Sequence, residues 1–352
     1  MNNQLQDYDP SGIAEMNGNL LGLPFDYDSA NLIVFAVPWE VTVSYGAGTA
    51  KGPQRILDAS LQIDLFDLDH PDGWKQGIFL LEIPQDILEK NNYYRQEAAK
   101  IIERQAEGKA LTDTPDLTLV LTAINQAGEQ VNHWLFTQCQ TAINQGKQVA
   151  VIGGDHSSPL GYFQALAAKY ENYGILHIDA HADLRDAYEE FEFSHASIMF
   201  NAMKIPQISK LVQVAIRDIC QDEVDIINNS NQRIIAYYES AIKQKLYSGI
   251  TWVDLCKEII SHLPENVYIS FDVDGLDPKL CPHTGTPVPG GLELEQAYCL
   301  FRELVNSGRK IIGFDICEVG DAEWDGNVGA RIVYKLANLL FLSQTKNLDA
   351  EQ

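Results

Sequence analysis

Three short segments carry residue types that bind metal ions. They read Gly153-Gly154-Asp155-His156-Ser157, Asp179-Ala180-His181-Ala182-Asp183 and Asp272-Val273-Asp274-Gly275-Leu276-Asp277-Pro278. In an extended segment, residues at i, i+2 and i+4 project to one side, so Asp179, His181 and Asp183 converge on one point and Asp272 and Asp274 on another. With His156 the segments offer two imidazoles and four carboxylates. Four carboxylates at close range cannot all ionise unaided, because like charges and desolvation both raise their pKa values. Divalent cations resolve the conflict. One ion would use only part of the set, whereas two ions sharing bridging carboxylates would use all six. In two-metal sites the ions lie roughly 3.5–4 Å apart and generate a nucleophilic hydroxide at neutral pH. Two divalent ions, four carboxylates and one hydroxide leave a residual charge of about −1, which suits a cationic substrate. Asp and His ligation without sulfur favours Mn²⁺, Ni²⁺, Co²⁺ or Fe²⁺ over the zinc of thiolate sites. Each motif alone has a blander reading, since D-x-D after a strand is commonly a loop or a helix cap and paired glycines serve tight turns. Their joint occurrence, each directly after an apolar run, carries the assignment.

Those apolar runs are the positioning elements. Short stretches rich in β-branched residues cover 32–37, 148–152, 174–178, 211–216, 266–271 and 310–314, and read as strands buried on both faces. Helical patterns lie between them at 116–144, 293–306 and 327–342. In the first of these, Ile124, Ala127, Val131, Trp134, Leu135 and Ala142 recur at three-to-four spacing. Alternating strands and helices predict a single three-layer α/β/α domain with a mostly parallel central sheet. The expected division is an N-terminal arm over 1–30, the α/β domain over 31–345 with a helical insertion at about 83–116, and a C-terminal tail over 346–352. Ligands of open parallel sheets bind beyond the carboxyl ends of the strands. All three motifs fall there.

The 352 residues hold 25 Lys plus Arg against 49 Asp plus Glu, a formal net charge of −24. That balance argues against nucleic acid and anionic membranes as partners, because both need a cationic face, and favours cationic guests. Cys139, Cys220, Cys256, Cys281, Cys299 and Cys317 form no C-x-x-C pair, so they read as thiols of a reducing compartment. The N-terminal residues show no basic and apolar signal pattern, and no apolar run reaches the ~18 residues needed to span a bilayer. A cytoplasmic location is expected. Gly46-Ala47-Gly48-Thr49-Ala50-Lys51-Gly52 lacks the spacing of a phosphate-binding loop, so ATP is not expected.

GGDHS, DAHAD and SFDVDGLDP followed by TGTPVPGGL resemble the ureohydrolase (arginase/agmatinase) family, with motif detail closest to agmatinases. The similarity runs from about Leu32 to Leu342 and includes Ser44-Tyr45-Gly46-Ala47-Gly48-Thr49, where the family has a Gly-rich loop. The resemblance implies an arginase-like fold, a trimer or hexamer, and hydrolysis of a guanidino group to urea and an amine at a binuclear centre, with Mn²⁺ first and Ni²⁺ the alternative. It maps one ion onto His156, Asp179, Asp183 and Asp272, and the other onto Asp179, His181, Asp272 and Asp274. Glu318 would bind the substrate guanidinium and His195 would shuttle protons. These roles agree with the chemistry, since a guanidinium carbon is a poor electrophile and its departing amine needs a proton. Two structural readings stand against them: Glu318 pairing only with an arginine such as Arg331, and His195 as a satisfied structural histidine. His177 reads as structural, and His283 stands where the family has a small residue.

Between Asp183 and His195 the chain reads Leu184-Arg185-Asp186-Ala187-Tyr188-Glu189-Glu190-Phe191-Glu192-Phe193-Ser194. This string resembles the agmatinase branch, and Arg185 and Glu192 are expected to face the substrate. Its acids would accept the second cationic end of agmatine better than a carboxylate. Agmatine is therefore the expected small cationic substrate, with arginine, guanidinobutyrate and guanidine behind it. Trp39 or Trp324 narrowing the pocket would favour the smaller compounds. Outside this class, the competing reading is an inactive metal-binding homologue.

Overall fold

The computed structural model describes Leu5 and residues 8–345. The tail expected at 346–352 and the remaining first residues of the expected arm lie outside the described residues. The strands are β1 (Leu32–Val37), β2 (Ile78–Leu80), β3 (Gln148–Gly153), β4 (Tyr173–Ile178), β5 (Ile208–Ile216), β6 (Ile234–Tyr238), β7 (Asn266–Asp272) and β8 (Lys310–Cys317). They form one sheet in the order β2-β1-β3-β8-β7-β4-β5-β6, and every pairing is parallel. The six runs read as strands are all strands. The two additions, β2 and β6, are the edges of the sheet: both are short, at three and five residues, and only partly buried.

Helices flank the sheet. Among them α1 (Gly52–Ser60), α5 (Leu294–Asn306) and α6 (Glu323–Thr345) pack together, and α6 also packs on β8. Another group joins α2 (Gln85–Ala106), α3 (Pro115–Asn144) and α4 (Leu160–Lys169). The central strands are buried along nearly their whole length, as two-sided helix cover requires. The insertion expected at about 83–116 is α2, laid against α3. The N-terminal segment, by contrast, is not a separate arm over its full length. Leu20, Leu21, Leu23 and Phe25 are buried in the core, and the Asn19 amide staples the segment to β2, donating to the Ile78 carbonyl and accepting from the Leu80 N–H.

Strand order is what matters for chemistry. β8 comes last in the chain but lies between β3 and β7, so β3, β8, β7 and β4 are consecutive in the sheet. Their carboxyl ends bring His156, Glu318, Asp272 and Asp179 side by side from positions up to 162 residues apart in sequence.

Candidate metal centre and substrate cleft

Beyond β3 the chain turns sharply. A Cβ at Gly154 would lie 2.1 Å from the Trp39 carbonyl oxygen, so only glycine lets the turn pass, and His156 is thereby delivered over the sheet. Gly275 has the same role beyond β7, where a Cβ would stand 2.6 Å from the Asp179 nitrogen. The Arg217 guanidinium donates to the carbonyls of Asp274, Leu276 and Val288, fixing the Asp272–Asp274 segment to the end of β5. Asp183 and Glu318 both adopt left-handed backbone, φ 54° and 64°, a conformation that side-chain-bearing residues hold only where the surroundings impose it.

The side chains gather in two adjoining groups. In the first, His156 Nδ1 lies 3.1 Å from Asp179 Oδ2, 3.3 Å from Asp183 Oδ2 and 3.2 Å from Asp272 Oδ2. In the second, His181 Nδ1 lies 3.0 Å from Asp274 Oδ2 and 3.4 Å from Asp179 Oδ1. Asp179 thus gives one oxygen to each group. Asp272 turns Oδ2 to the first group, while its Oδ1 accepts the Asp274 N–H at 2.8 Å. An imidazole nitrogen can donate one hydrogen bond, so three carboxylates converging on His156 Nδ1 are not accounted for by hydrogen bonding. Oxygen and nitrogen donors crowded around one small volume match the donor set of hard and borderline divalent ions. The electrostatics agree. Burial, then neighbouring Asp179, pushes the Asp183 carboxyl up to about 7. Asp272 is driven well above the carboxylate range by burial, Asp274 and Asp179. The donor set therefore fits a pair of cations.

Glu318 faces the same space. Burial, with Asp272, Asp155 and Asp274 nearby, raises its pKa well above the usual range. Its Oε1 accepts the His156 N–H at 3.0 Å, and its buried Oε2 has no hydrogen-bond partner among the described residues. Arg331 is engaged elsewhere, donating to Asn327 Oδ1, so a pairing of Glu318 with Arg331 is excluded. His195 lines the cleft with its Nδ1 3.4 Å from both Thr42 Oγ1 and Ser194 Oγ. Burial and the cationic forms of His181, His156 and Arg95 lower its pKa to about 4, leaving a neutral imidazole at pH 7.

The cleft holds about 170 Å³ and is walled by His156, His181, Asp183, His195, Asp272, Asp274 and Glu318 on the metal side. Arg185 lines it too, its guanidinium 4.7 Å above the Tyr188 ring and 3.8 Å from Glu223. Glu192 does not. It is exposed on the far side of its loop, beside Phe193 and Lys204 in a separate groove, because its backbone is tied to Asn125 and Asn201. The expectation that it touches substrate is corrected. Neither tryptophan narrows the cleft: Trp39 is buried against Tyr94, and Trp324 is half-exposed with its indole N–H on the Lys279 carbonyl. His283 bonds to Asp325 and is likewise outside.

Sequence reasoning did not single out Ser44, Tyr188, Asp218, Glu223 and Thr286, which complete the wall. Asp218 follows β5 directly, so the strand-end rule that located the metal motifs would have found it, whereas Glu223 sits in the first turn of the next helix. In the Gly-rich loop Glu40 accepts from the Gly48 N–H at 2.6 Å and from the Thr49 hydroxyl at 3.3 Å, so a carboxylate of the chain itself takes up the donors of this turn. The insertion also acquires a task. Gln105 on α2 donates to the Glu189 carbonyl and Asn125 on α3 to that of Glu190, which anchors the loop carrying Arg185 and Tyr188.

An eight-stranded parallel sheet with paired His/Asp groups at its carboxyl edge defines a metal-dependent hydrolase scaffold. A model of the arginase family matches residues 30–339, and the chain belongs to that family, as an enzyme of the ureohydrolase class. It is 27% identical over 330 residues to an N(1)-aminopropylagmatine ureohydrolase of Synechocystis sp., covering 92% of this chain and 93% of that protein. It is 28% identical over 305 residues to an agmatinase of Pyrococcus horikoshii, covering 84% and 85%. Among solved structures, the agmatine ureohydrolase of Thermoplasma volcanium superposes with a TM-score of 0.69 at 20% identity over 92% of this chain and 94% of that one. Arginase from Medicago truncatula gives 0.62 at 21% identity, over 89% and 88%. Among the described residues no helix is long and apolar enough to cross a membrane.

Proposed function

We propose that the protein hydrolyses the guanidino group of a cationic alkylguanidine to urea and an amine, with agmatine as substrate and putrescine as product. The observation that carries this reading is the unpartnered buried Oε2 of Glu318, turned toward the two His/Asp groups. A buried carboxylate oxygen without a donor is costly, and a planar guanidinium supplies the missing N–H groups in a matching fork. The ions would be held by His156, Asp179, Asp183 and Asp272 on one side and by Asp179, His181, Asp272 and Asp274 on the other, Mn²⁺ first and Ni²⁺ the alternative. Bound there, they would supply activated water and stabilise the charge that develops on the attacked group.

The chain's own residues do the rest. Glu318 orients the guanidinium, so that its carbon faces the carboxylate groups and its substituted nitrogen points outward. His195, neutral at rest and steadied by Thr42 and Ser194, takes the proton released on attack and hands it to the departing amine. Arg185 and Tyr188 close one side and limit water access. At the mouth, exposed Asp218 and buried Glu223 give an anionic wall that favours a distal ammonium over a carboxylate.

That wall also favours a second reading, a longer aminopropyl-extended agmatine, since exposed Asp218 adds a further carboxylate to the lining and the Synechocystis relative bears that name. A urea-release panel of agmatine, N1-aminopropylagmatine, arginine, guanidinobutyrate and guanidine, run on metal-loaded protein, tests both. A preference for arginine or guanidinobutyrate would overturn the alkylamine assignment.

A further inference from the structure

Beneath the two His/Asp groups a row of polar side chains crosses four neighbouring strands. Gln213 on β5 pairs in register with His177 on β4, His177 with Ser270 on β7, and Ser270 with Asp315 on β8. All four are fully buried. Polar groups at that depth carry a desolvation penalty unless each is given a partner, so their hydrogen bonds can be traced one by one.

The Ala182 carbonyl can only accept. Gln213 Nε2 lies 2.7 Å from it, which fixes the amide: the nitrogen faces Ala182, not the oxygen. The second hydrogen of that nitrogen reaches His177 Nδ1 at 3.0 Å. Nδ1 must then accept, so the proton of the neutral ring resides on Nε2. Nε2 lies 2.8 Å from Asp179 Oδ2 and donates to it. Oδ2 is the oxygen that faces His156 Nδ1, whereas Oδ1 accepts the His181 N–H at 2.5 Å and faces the second group. The carboxylate is therefore gripped from both ends, by a ring on one oxygen and by backbone on the other. Nothing else in this chain of bonds reaches solvent, and none of it touches the substrate cleft.

We propose that Gln213 and His177 are positioning residues for the metal centre: Gln213 sets the tautomer of His177, and His177 holds Asp179 in the orientation that gives one oxygen to each group. This rests on the two-ion reading above. Groups that orient a ligand from behind typically change metal affinity by about 10- to 100-fold when removed.

The test is Mn²⁺ titration of the full-length, metal-stripped protein by calorimetry, with melting of the metal-free forms alongside. His177→Leu removes the donor at similar bulk, His177→Gln keeps an N–H within reach of Asp179, and Gln213→Leu leaves His177 in place but removes the tautomer control together with the donor to the Ala182 carbonyl. The expected result is two Mn²⁺ equivalents in the wild type, about 10- to 100-fold weaker binding of at least one of them in His177→Leu, a smaller loss in Gln213→Leu, and recovery in His177→Gln. Wild-type affinity in His177→Leu would overturn the proposal. So would His177→Gln binding as weakly as His177→Leu with both metal-free forms melting well below wild type, because that is the signature of a packing role. A wild type that takes up no Mn²⁺ would overturn the metal-centre reading itself and the proposal with it, and that arm is decided before any variant is made.

Discussion

Replacing Glu318 with glutamine separates its proposed role from ordinary packing. Glutamine keeps the size of the side chain and an oxygen for the His156 N–H, so the contact at 3.0 Å survives. What disappears is the negative charge and the acceptor at Oε2, which has no donor among the described residues. Removing one partner from a buried, hydrogen-bonded charge pair costs about 2–5 kcal/mol. At about 1.36 kcal/mol per factor of ten, kcat/KM for agmatine should fall by roughly 30- to 5,000-fold. Stability should move the other way. Glu318 sits among Asp272, Asp155 and Asp274 with its pKa raised, first by burial and then by those neighbours, so at neutral pH its charge opposes folding of the metal-free protein. The metal-free variant should therefore melt at or above the wild type, where each kcal/mol corresponds to about 2 °C in a chain of this size. The assay is urea release on metal-loaded protein paired with thermal melting of the metal-free form. Near wild-type kcat/KM would refute the guanidinium role. A loss of activity that merely tracks a melting temperature lowered by several degrees would refute the claim that the carboxylate is held there for substrate.

Further outcomes follow from the same geometry. Asp272→Ala should abolish urea release and reduce bound Mn²⁺ below two per chain by metal analysis, and full activity at two bound ions would contradict the ligand set. His195→Asn should lower kcat by about 10²- to 10⁴-fold while leaving Mn²⁺ stoichiometry intact; parallel loss of metal would reassign His195 to structure. Glu192→Ala should stay within about twofold of wild type for every substrate, because the side chain points into a different groove. For the metal-free protein, Asp183, Asp272 and Glu318 have folded pKa values raised above their unfolded ones, so the stability they contribute is present below about pH 4 and is lost as pH rises, with Asp183 complete near 7. His195, lowered to about 4, works in the opposite sense between pH 4 and 6.5 but is outnumbered. Metal-free protein should melt higher at pH 5 than at pH 7.5, and added Mn²⁺ should reverse that order; a flat profile would show that the carboxylates are not crowded.

Much of the architecture was legible because buried parallel strands leave continuous apolar runs, and the ligands were legible because they stand in short alternating strings at the ends of those runs. Asp179, His181 and Asp183 needed only the period of an extended chain. What stayed hidden depends on strand order, which no local pattern encodes. Glu318 was reached only through the family resemblance, because a single acid after the last strand carries no local pattern and joins the site only as β8 inserts between β3 and β7. Residues 184–194 misled in part for a related reason. Four acids in one string looked like one wall, yet the loop passes through left-handed backbone at Ala187, Glu189 and Glu190, so alternation fails and Glu192 faces away while Arg185 and Tyr188 face in.

The same strand order explains why His177 was read only as structural. Within its own segment it is one more buried residue two positions before Asp179, and nothing in the local sequence names its partner. Its meaning comes from β5, where Gln213 lies directly beside it, and from β7, where Ser270 continues the row to His156 at 2.9 Å and to Asp315 at 2.9 Å. A row of four buried polar residues is a poor way to stabilise a sheet, since apolar side chains of similar size would avoid the desolvation altogether. Its two inner members, His177 and Ser270, meet Asp179 and His156, the two residues around which the first group is built. The polar row is therefore better explained by what it orients than by what it stabilises, and the net charge of −24 becomes informative only at the few carboxylates this row and its strands hold together.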